Sequence, residues 1–293
     1  MQTHTWYLIF KTMRPRQWTK NLLVFAALIF SRNLFNLALT RDVACAFIIF
    51  CLLSGSVYIL NDLIDLQADR AHPKKSTRPL ASGMLRPRAA AAAGVVMVIV
   101  SLAAAFRLNT VFAFTALGYF ILQIAYSLLL KHVVIIDVLA VAVGFVLRAI
   151  AGAEVIGVPI SSWLLICTIL LALFLSLGKR RHELLLLENN AVHHRKILYE
   201  YSPGLLDQMI SVVTASTVVA YALYTMSADT IAKFHTDNLK YTIPFVLYGI
   251  FRYLYLIHQR SEGGSPERIL FDDKPLLINI VLYLAAVWFF TYS

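Results

Sequence analysis

Long apolar blocks recur along the whole chain and constrain its fold more than any other feature. A helix needs roughly 20 apolar residues to cross the hydrocarbon core of a bilayer. Of the 293 residues, 59% are hydrophobic and 14% are charged, whereas soluble domains carry about 25% charged residues. The sequence therefore predicts an all-α, polytopic membrane protein with about nine transmembrane helices, at 19–37, 43–60, 89–106, 109–130, 133–153, 161–178, 208–227, 241–258 and 275–292.

These blocks predict a single integral membrane domain over residues 1–293. Two four-helix halves, at about 19–130 and 133–258, would precede a ninth helix at 275–292. Internal repeats are frequent in polytopic proteins, and the second and sixth blocks each run into a polar extension, NDLIDLQADR and GKRRHELLLLE. Ahead of the first block, residues 4–13 predict a short interfacial helix that holds Trp6, Tyr7 and Phe10 at the headgroups.

Basic residues cluster on one predicted side of the membrane. The formal net charge of +10 could indicate nucleic acid, but the lysines and arginines concentrate in the N-terminal segment and in the loops 61–88, 179–207 and 259–274. This is the positive-inside pattern of a multi-pass protein of the cell (inner) membrane. It predicts a cytoplasmic N-terminus, a C-terminus outside, and no nucleic-acid partner.

Three aspartates follow the second block in the segment NDLIDLQAD. On a helix, Asp62, Asp65 and Asp69 fall within roughly 60° of one another. Stacked carboxylates repel one another unless a cation lies between them, and oxygen ligands with room for water and phosphate suit Mg²⁺. The sequence predicts a magnesium site here; the alternative is a solvated helix end whose acids cap the next loop.

The loop HPKKSTRPLASG, which follows, supplies the opposite charge through Lys74, Lys75 and Arg78. A metal held by carboxylates and faced by cations can bind a diphosphate and neutralise it as it leaves. Membrane topology alone could account for the two lysines. Arg78, fixed before a proline, is the better candidate for binding phosphate.

A second group of polar residues surrounds the junction of the fourth and fifth blocks. Ser127 and Lys131 share a helix face at i, i+4, next to Tyr126, although Lys131 could simply mark the cytoplasmic boundary. Asp137 and Arg148 lie on one face within apolar sequence, where charges are costly and often functional. Arg148 could bind an anionic lipid head or pair with an acid such as Glu154.

A third group follows the sixth block and consists of Lys179, Arg180, Arg181, His182 and Glu183; alone it could be topological. The adjacent His193 and His194 are typical of a solvated loop. Asp272 and Asp273 precede a lysine and a proline, which is typical of a loop or of a helix start, and they could also reach the substrate.

The segments NDLIDLQADR and HPKKSTRPLASG resemble the first aspartate motif and adjoining loop of the UbiA superfamily of intramembrane prenyltransferases. The resemblance extends over essentially the whole chain, including the nine-block layout. It implies a helical bundle with a Mg²⁺–diphosphate site at its cytoplasmic mouth. In prenyl diphosphate-using members a second acidic motif follows the sixth helix, but this chain has the basic SLGKRRHEL there.

That departure, together with RPRQWTKN and YSLLLKHVVIIDV, is similar to the decaprenyl-phosphate phosphoribosyltransferase branch of the superfamily. The resemblance implies transfer of 5-phosphoribose from phosphoribosyl pyrophosphate (PRPP) to a polyprenyl phosphate, for cell-envelope glycan precursors. It implies that Asp62, Asp65 and Asp69 hold the Mg²⁺–diphosphate and that Asn61 orients them. The residues expected to bind phosphate are Lys20, Arg78, Lys131, and Lys179 or Arg180.

Two alternatives belong to other functional classes. The protein could transfer a prenyl group from a polyprenyl diphosphate to an aromatic acceptor, although the basic SLGKRRHEL disfavours this reaction. It could instead transport a lipid or an ion, but transporters seldom need three stacked carboxylates that face a cationic loop. The sequence itself sets neither the length of the lipid nor the oligomeric state.

Overall fold

A computed structural model describes residues 4–72, 75–189, 197, 200–260, 263–264, 269 and 272–292. Within these ranges the regular elements are all helical. They are α1 (Thr5–Thr12), α2 (Ala26–Phe30), α3 (Leu37–Ile64), α4 (Leu66–Ala71), α5 (Pro87–Leu108), α6 (Thr110–Leu128), α7 (Ile136–Val155), α8 (Ser162–Asn189), α9 (Pro203–Met226), α10 (Ala228–Phe234), α11 (Ile243–Gln259) and α12 (Lys274–Tyr292). Short 3₁₀ segments cover Pro15–Phe25, Leu130–His132 and Asn238–Thr242.

Within the described residues, seven of the helices are long and apolar enough to cross a membrane. They are α3, α5, α6, α7, α8 up to Leu185, α9 and α12. The prediction of an all-α, polytopic membrane protein is confirmed, while the count of nine helices is not. The α11 helix, at the predicted block 241–258, has 17 residues, fewer than the roughly 20 that a membrane-spanning helix needs.

The first predicted block, 19–37, does not form one helix. The 3₁₀ segment Pro15–Phe25 and the five-residue α2 replace it. After α2 the chain turns at Arg32, whose φ is 61°. Ser31 donates to the Leu28 carbonyl (3.3 Å) and Asn33 donates to the Ser31 hydroxyl (2.9 Å), so polar side chains stabilise this turn against helix continuation.

Side chains that accept backbone N–H groups mark where several helices start. Asn36 accepts from Ala38 and Leu39 at the start of α3, and Asn109 accepts from Phe112 at the start of α6. Asp273 accepts from Leu276 (2.9 Å) at the start of α12, so its predicted role at a helix start is confirmed. These caps satisfy N–H groups that have no partner within the helix.

The chain divides into two compact units. The first contains Met1–Leu130 and Leu147–Pro159, and the second contains Lys131–Val146 and Ile160–Ser293. The α7 helix therefore contributes its first half to the second unit and its second half to the first. The division into halves at 19–130 and 133–258 with a ninth helix at 275–292 stays a prediction.

In the first unit, α3 packs along α5 and also against the 3₁₀ segment Pro15–Phe25. The predicted N-terminal helix exists as α1, and its buried side chains Leu8 and Ile9 join Met13 and Ile59 in one apolar cluster. The side chain of Met13 fits against Gly55, where an added Cβ would lie 3.0 Å from the Met13 methyl. This packing fixes the residues that follow α1 beside the end of α3.

In the second unit, α8 packs along α9, and α11 along α12. The rings of Phe174 and Tyr253 pack against each other within this core, tilted by 55° and with 5.2 Å between their centroids. Gly178 lets α8 approach α11, because an added Cβ would lie 2.9 Å from the Ile257 methyl. Gly263 continues this close fit, since its Cβ would lie 2.9 Å from the Gly178 carbonyl oxygen. These contacts fix the basic end of α8.

Candidate active site

The acidic motif lies where α3 ends and α4 begins. The helix breaks at Asp65, which caps α3 and precedes α4, so the motif is not one straight helix. The backbone hydrogen bonds nevertheless continue through the break, from Asp65 to Asn61 (2.9 Å) and from Asp69 to Asp65 (2.8 Å). Asp62 and Asp69 are buried, whereas Asn61 and Asp65 are half-buried.

Asp62 and Asp69 bind the same arginine nitrogen. Nη1 of Arg78 donates to Oδ1 of Asp62 (3.1 Å) and to Oδ2 of Asp69 (2.5 Å). Nζ of Lys75 lies 3.7 Å from the other Asp69 oxygen, and Nη2 of Arg14 donates to Oδ1 of Asp62. We call these five side chains the Asp62–Asp69 cluster. Arg78 thus provides a cation between the two carboxylates, and Arg14 and Lys75 each contact one of them.

The three aspartates do not form a ready-made metal cage. Among the residues that the structure describes, no group of three or more His, Cys, Asp or Glu side chains is arranged to hold a metal ion. The helix break lies within the motif, at Asp65, and the binding of a metal by all three aspartates stays a prediction. Mg²⁺ is commonly bound through one or two carboxylates together with substrate phosphates and water. The two buried aspartates fit that mode of binding.

A second charged group, the Asp137 cluster, lies in the second unit. It consists of Asp137, Arg180, Glu183 and Tyr201. Asp137 is fully buried; it accepts from Nε of Arg180 (2.6 Å) and from the Tyr201 hydroxyl (2.8 Å). Burial raises the pKa of the Tyr201 phenol to about 12, so this hydroxyl stays a donor at physiological pH.

Arg180 also donates to Glu183 (2.7 Å) through Nη1. Its guanidinium therefore bridges two carboxylates, and only 5% of its side chain is exposed. Lys179 is 44% exposed and its Nζ lies 3.9 Å from the other Glu183 oxygen. Of these two candidates for phosphate binding, Lys179 is the more accessible.

Arg148 lies in a buried polar network of the first unit. It donates to Asn21 (2.8 Å) and to the Tyr119 hydroxyl (2.8 Å). Asn21 in turn donates to Ser54 (3.2 Å). The network ties the 3₁₀ segment Pro15–Phe25 to α3, α6 and α7. Arg148 thus has a clear structural role there, and its binding of an anionic lipid stays a prediction.

The remaining predicted residues lie near helix ends. The expected shared face of Ser127 and Lys131 is wrong: α6 ends at Leu128, and Lys131 lies in the 3₁₀ segment Leu130–His132. Ser127 donates back to the Gln123 carbonyl (2.7 Å), while Tyr126 and Lys20 are half-buried. Lys74, His193 and His194 lie outside the described residues.

Sequence reasoning missed three sets of contacts. Arg14 binds Asp62 although 48 positions separate them, and Tyr201 binds Asp137 across 64 positions. Asp207 accepts from Arg181 (2.5 Å) and lies 3.2 Å from Nε2 of His258. Only the position of Arg14 within RPRQWTKN gave any signal in the sequence.

An apolar groove of about 260 Å³ lies between α3, α5 and α6. Leu60 and Leu63 line it from α3, and Val95 and Ile99 line it from α5. Leu63 directly follows Asp62, so the groove reaches the helical turn that carries the buried aspartate.

A known protein family matches most of the chain. The model of the UbiA prenyltransferase family matches residues 22–271. The chain belongs to the UbiA prenyltransferase family. Solved family members share its fold: a UbiA homologue from Archaeoglobus fulgidus, bound to GPP and Mg²⁺, superposes with a TM-score of 0.74 at 22% identity, covering 98% of this chain and all of that one.

Relatives within the family extend along nearly the whole chain. The decaprenyl-phosphate phosphoribosyltransferase of Mycolicibacterium smegmatis is 34% identical over 95% of this chain and 91% of the relative. The decaprenyl-phosphate phosphoribosyltransferase of Corynebacterium glutamicum is 33% identical over 96% of this chain and 84% of the relative. Family membership is thus supported by sequence and fold together.

Proposed function

We propose that the protein is a membrane-embedded enzyme that transfers 5-phosphoribose from PRPP to a polyprenyl phosphate and releases diphosphate. The observation that carries this proposal is the Asp62–Asp69 cluster, in which two buried carboxylates and three cations converge. In such a group, the carboxylates can bind the metal of a metal–diphosphate complex and the cations can bind its diphosphate. The choice of PRPP is supported by the names of the relatives and by the basic end of α8.

The residues of the chain would act by binding and orientation. Asp62, Asp65 and Asp69 would hold Mg²⁺, directly or through water, with Asn61 beside them. Arg78, Lys20, Lys131 and Lys179 are proposed to hold phosphate oxygens. Bound Mg²⁺ would neutralise charge on the departing diphosphate. Because the attacking lipid phosphate is already anionic, the reaction requires no strong general base.

The lipid substrate needs an apolar site within the membrane. We propose that the groove between α3, α5 and α6 receives the polyprenyl chain, since it reaches the turn that carries Asp62. A phosphate at the cytoplasmic end of that chain would then lie near the diphosphate site. The product would be a lipid-linked pentose phosphate for envelope glycans.

The direct test incubates purified protein with labelled PRPP, Mg²⁺ and a polyprenyl phosphate. We expect labelled lipid from the wild-type protein and none from Asp62→Asn, provided that the variant unfolds at the wild-type temperature. A parallel reaction contains geranyl diphosphate and an aromatic acid. Consumption of geranyl diphosphate, with PRPP untouched, would favour ordinary prenyl transfer and overturn the proposal.

A further inference from the structure

Arg14 occupies an unusual position at the end of the N-terminal helix. Its φ of 54° is in the left-handed region, which a non-glycine residue adopts mainly where surrounding contacts hold it. The guanidinium lies 4.8 Å from the centroid of the Tyr58 ring and donates to Asp62. The backbone turn and both side-chain contacts thus direct Arg14 to the buried carboxylate.

Arg14 and Arg78 share one acceptor atom, since both donate to Oδ1 of Asp62. The carboxylates of Asp62 and Asp69 are each 3% exposed, whereas the arginines are 31% and 28% exposed. The two carboxylates are therefore buried within the first unit, and the guanidinium groups of Arg14 and Arg78 lie between them and solvent. An anion that arrives from solvent would meet the guanidinium groups first.

The charges of the Asp62–Asp69 cluster disfavour a metal or a diphosphate alone. A dication alone would add positive charge beside Arg14, Lys75 and Arg78. A diphosphate alone would draw Arg14 and Arg78 away from two buried carboxylates and leave those charges without their partners. The two together bring nearly balanced charge, so each favours binding of the other.

We propose that Arg14 is a substrate-binding residue that exchanges its carboxylate partner for a diphosphate oxygen, so that metal and diphosphate bind as a pair. This inference rests on the proposed function and deepens it. With Asp62 engaged by a bound metal, the guanidinium group of Arg14 would be available to two phosphate oxygens, a geometry that guanidinium groups favour. Arg78 follows the same exchange, because it too is bound to Asp62 and Asp69.

Equilibrium dialysis of the full-length protein in detergent tests the proposal, with radioactive Mn²⁺ in place of Mg²⁺ and with labelled inorganic diphosphate. For the wild-type protein we expect each probe alone to bind at least about tenfold more weakly than in the presence of the other. Arg14→Gln should have effects of opposite sign. It should tighten Mn²⁺ binding without diphosphate, since a competing cation is gone, and weaken diphosphate binding with Mn²⁺ by about tenfold or more.

Arg16→Gln is the matched control, because it removes the same charge from an exposed residue two positions away. It should change neither affinity. Arg14→Lys retains the positive charge but lacks the paired N–H donors of a guanidinium group. The affinity for Mn²⁺ without diphosphate should therefore stay at the wild-type level, while the affinity for diphosphate in the presence of Mn²⁺ should fall. Thermal unfolding checks that all variants fold.

Equal Mn²⁺ affinity with and without diphosphate in the wild-type protein would overturn the paired binding. Shifts of the same sign in Arg14→Gln, or no shift, would overturn the role of Arg14 and leave the proposed function standing. If the wild-type protein bound neither probe in any combination, the proposed function would fall as well.

Discussion

Lys179 and Arg180 are adjacent in sequence but lie in different surroundings, so they should respond differently to substitution. Lys179 is 44% exposed, and its loss would remove a cation without leaving a buried charge. We expect Lys179→Ala to raise the KM for PRPP about tenfold, with the KM for the lipid and kcat nearly unchanged, as for a binding contact. Steady-state kinetics with each substrate varied will measure this. An unchanged KM for PRPP would mean that Lys179 only marks the cytoplasmic side of the membrane and does not bind PRPP.

Arg180→Ala should instead unfold the second unit more easily. The substitution would leave Asp137 fully buried without its arginine, and breaking a buried ion pair from one side costs about 3–5 kcal/mol. The measurement is the unfolding temperature in detergent, compared with Lys179→Ala. A double variant, Arg180→Gln with Asp137→Asn, should recover part of the loss; equal unfolding temperatures for the two single variants would contradict the buried pair.

At the residue scale, the sequence identified side chains better than it identified their partners. Asp62, Asp69 and Arg78 do converge, because the spacing of the motif and the short following loop keep them local. Arg14 and Tyr201 could not be placed, since their partners lie 48 and 64 positions away and only tertiary packing brings them together. The helix break at Asp65 could not be predicted either, because the spacing of the three acids is that of one continuous helix.

At the element scale, one close approach fixes α7 against the 3₁₀ segment Pro15–Phe25. A Cβ at Gly152 would lie 2.0 Å from the carbonyl oxygen of Val24, and backbone cannot rotate away as a side chain can. We expect Gly152→Ala to destabilise the protein by about 1–3 kcal/mol or more and to lower activity, because the displaced segment carries Lys20 and Asn21.

Gly118→Ala on α6 is the control for Gly152→Ala, since nothing lies within 4 Å of its added Cβ. Its unfolding temperature should stay the same or rise slightly, because alanine favours a helix more than glycine does. Similar unfolding temperatures for both variants would show that α7 tolerates a shift from the segment.

The groove between α3, α5 and α6 offers a matched pair of substitutions. Val95 lines the groove and its neighbour Val96 does not, yet the two valines are 59% and 57% exposed. We expect Val95→Trp to fill the groove and raise the KM for polyprenyl phosphate about tenfold, leaving the KM for PRPP unchanged. Val96→Trp should behave as wild type; the same kinetics in both variants would exclude the groove as the lipid site.

The start of α12 should respond to acid through Asp273. Hydrogen bonds from Arg252 (3.1 and 2.8 Å) hold the pKa of the Asp273 carboxyl below its usual range. A lowered pKa in the folded state means that this stabilisation is complete above about pH 4 and is lost as the pH falls through the lowered value. Unfolding temperatures between pH 6 and pH 3 should therefore fall more steeply in wild type than in Asp273→Asn; parallel curves would contradict the assignment.

Most helices could be predicted because apolar length is a strong signal. The errors occur where polar residues redirect the backbone within an apolar stretch. Ser31 and Asn33 stabilise a turn inside the first predicted block, and α6 ends at Leu128 before the predicted face reaches Lys131. Composition averaged over a block cannot show such local hydrogen bonds.

At the scale of the whole molecule, the direction of the chain through the membrane depends on the segment before α3. If the 3₁₀ segment Pro15–Phe25 and α2 together cross the bilayer, α3 starts outside and ends in the cytoplasm. The Asp62–Asp69 cluster then faces the compartment that contains phosphorylated sugars. Every later span alternates from there, which assigns the loop after α10 to the outside.

Cysteine labelling of intact cells tests this orientation at two exposed positions. Asn238, in the 3₁₀ segment before α11, should react as Asn238→Cys with a membrane-impermeant maleimide added from outside. Arg70, on α4, should react as Arg70→Cys only after the cells are permeabilised. The parent protein, whose three cysteines all lie within α3 and α8, gives the background. Labelling of Arg70→Cys from outside would place the carboxylates on the wrong side for a cytoplasmic sugar phosphate, because charged donors do not cross the bilayer unaided.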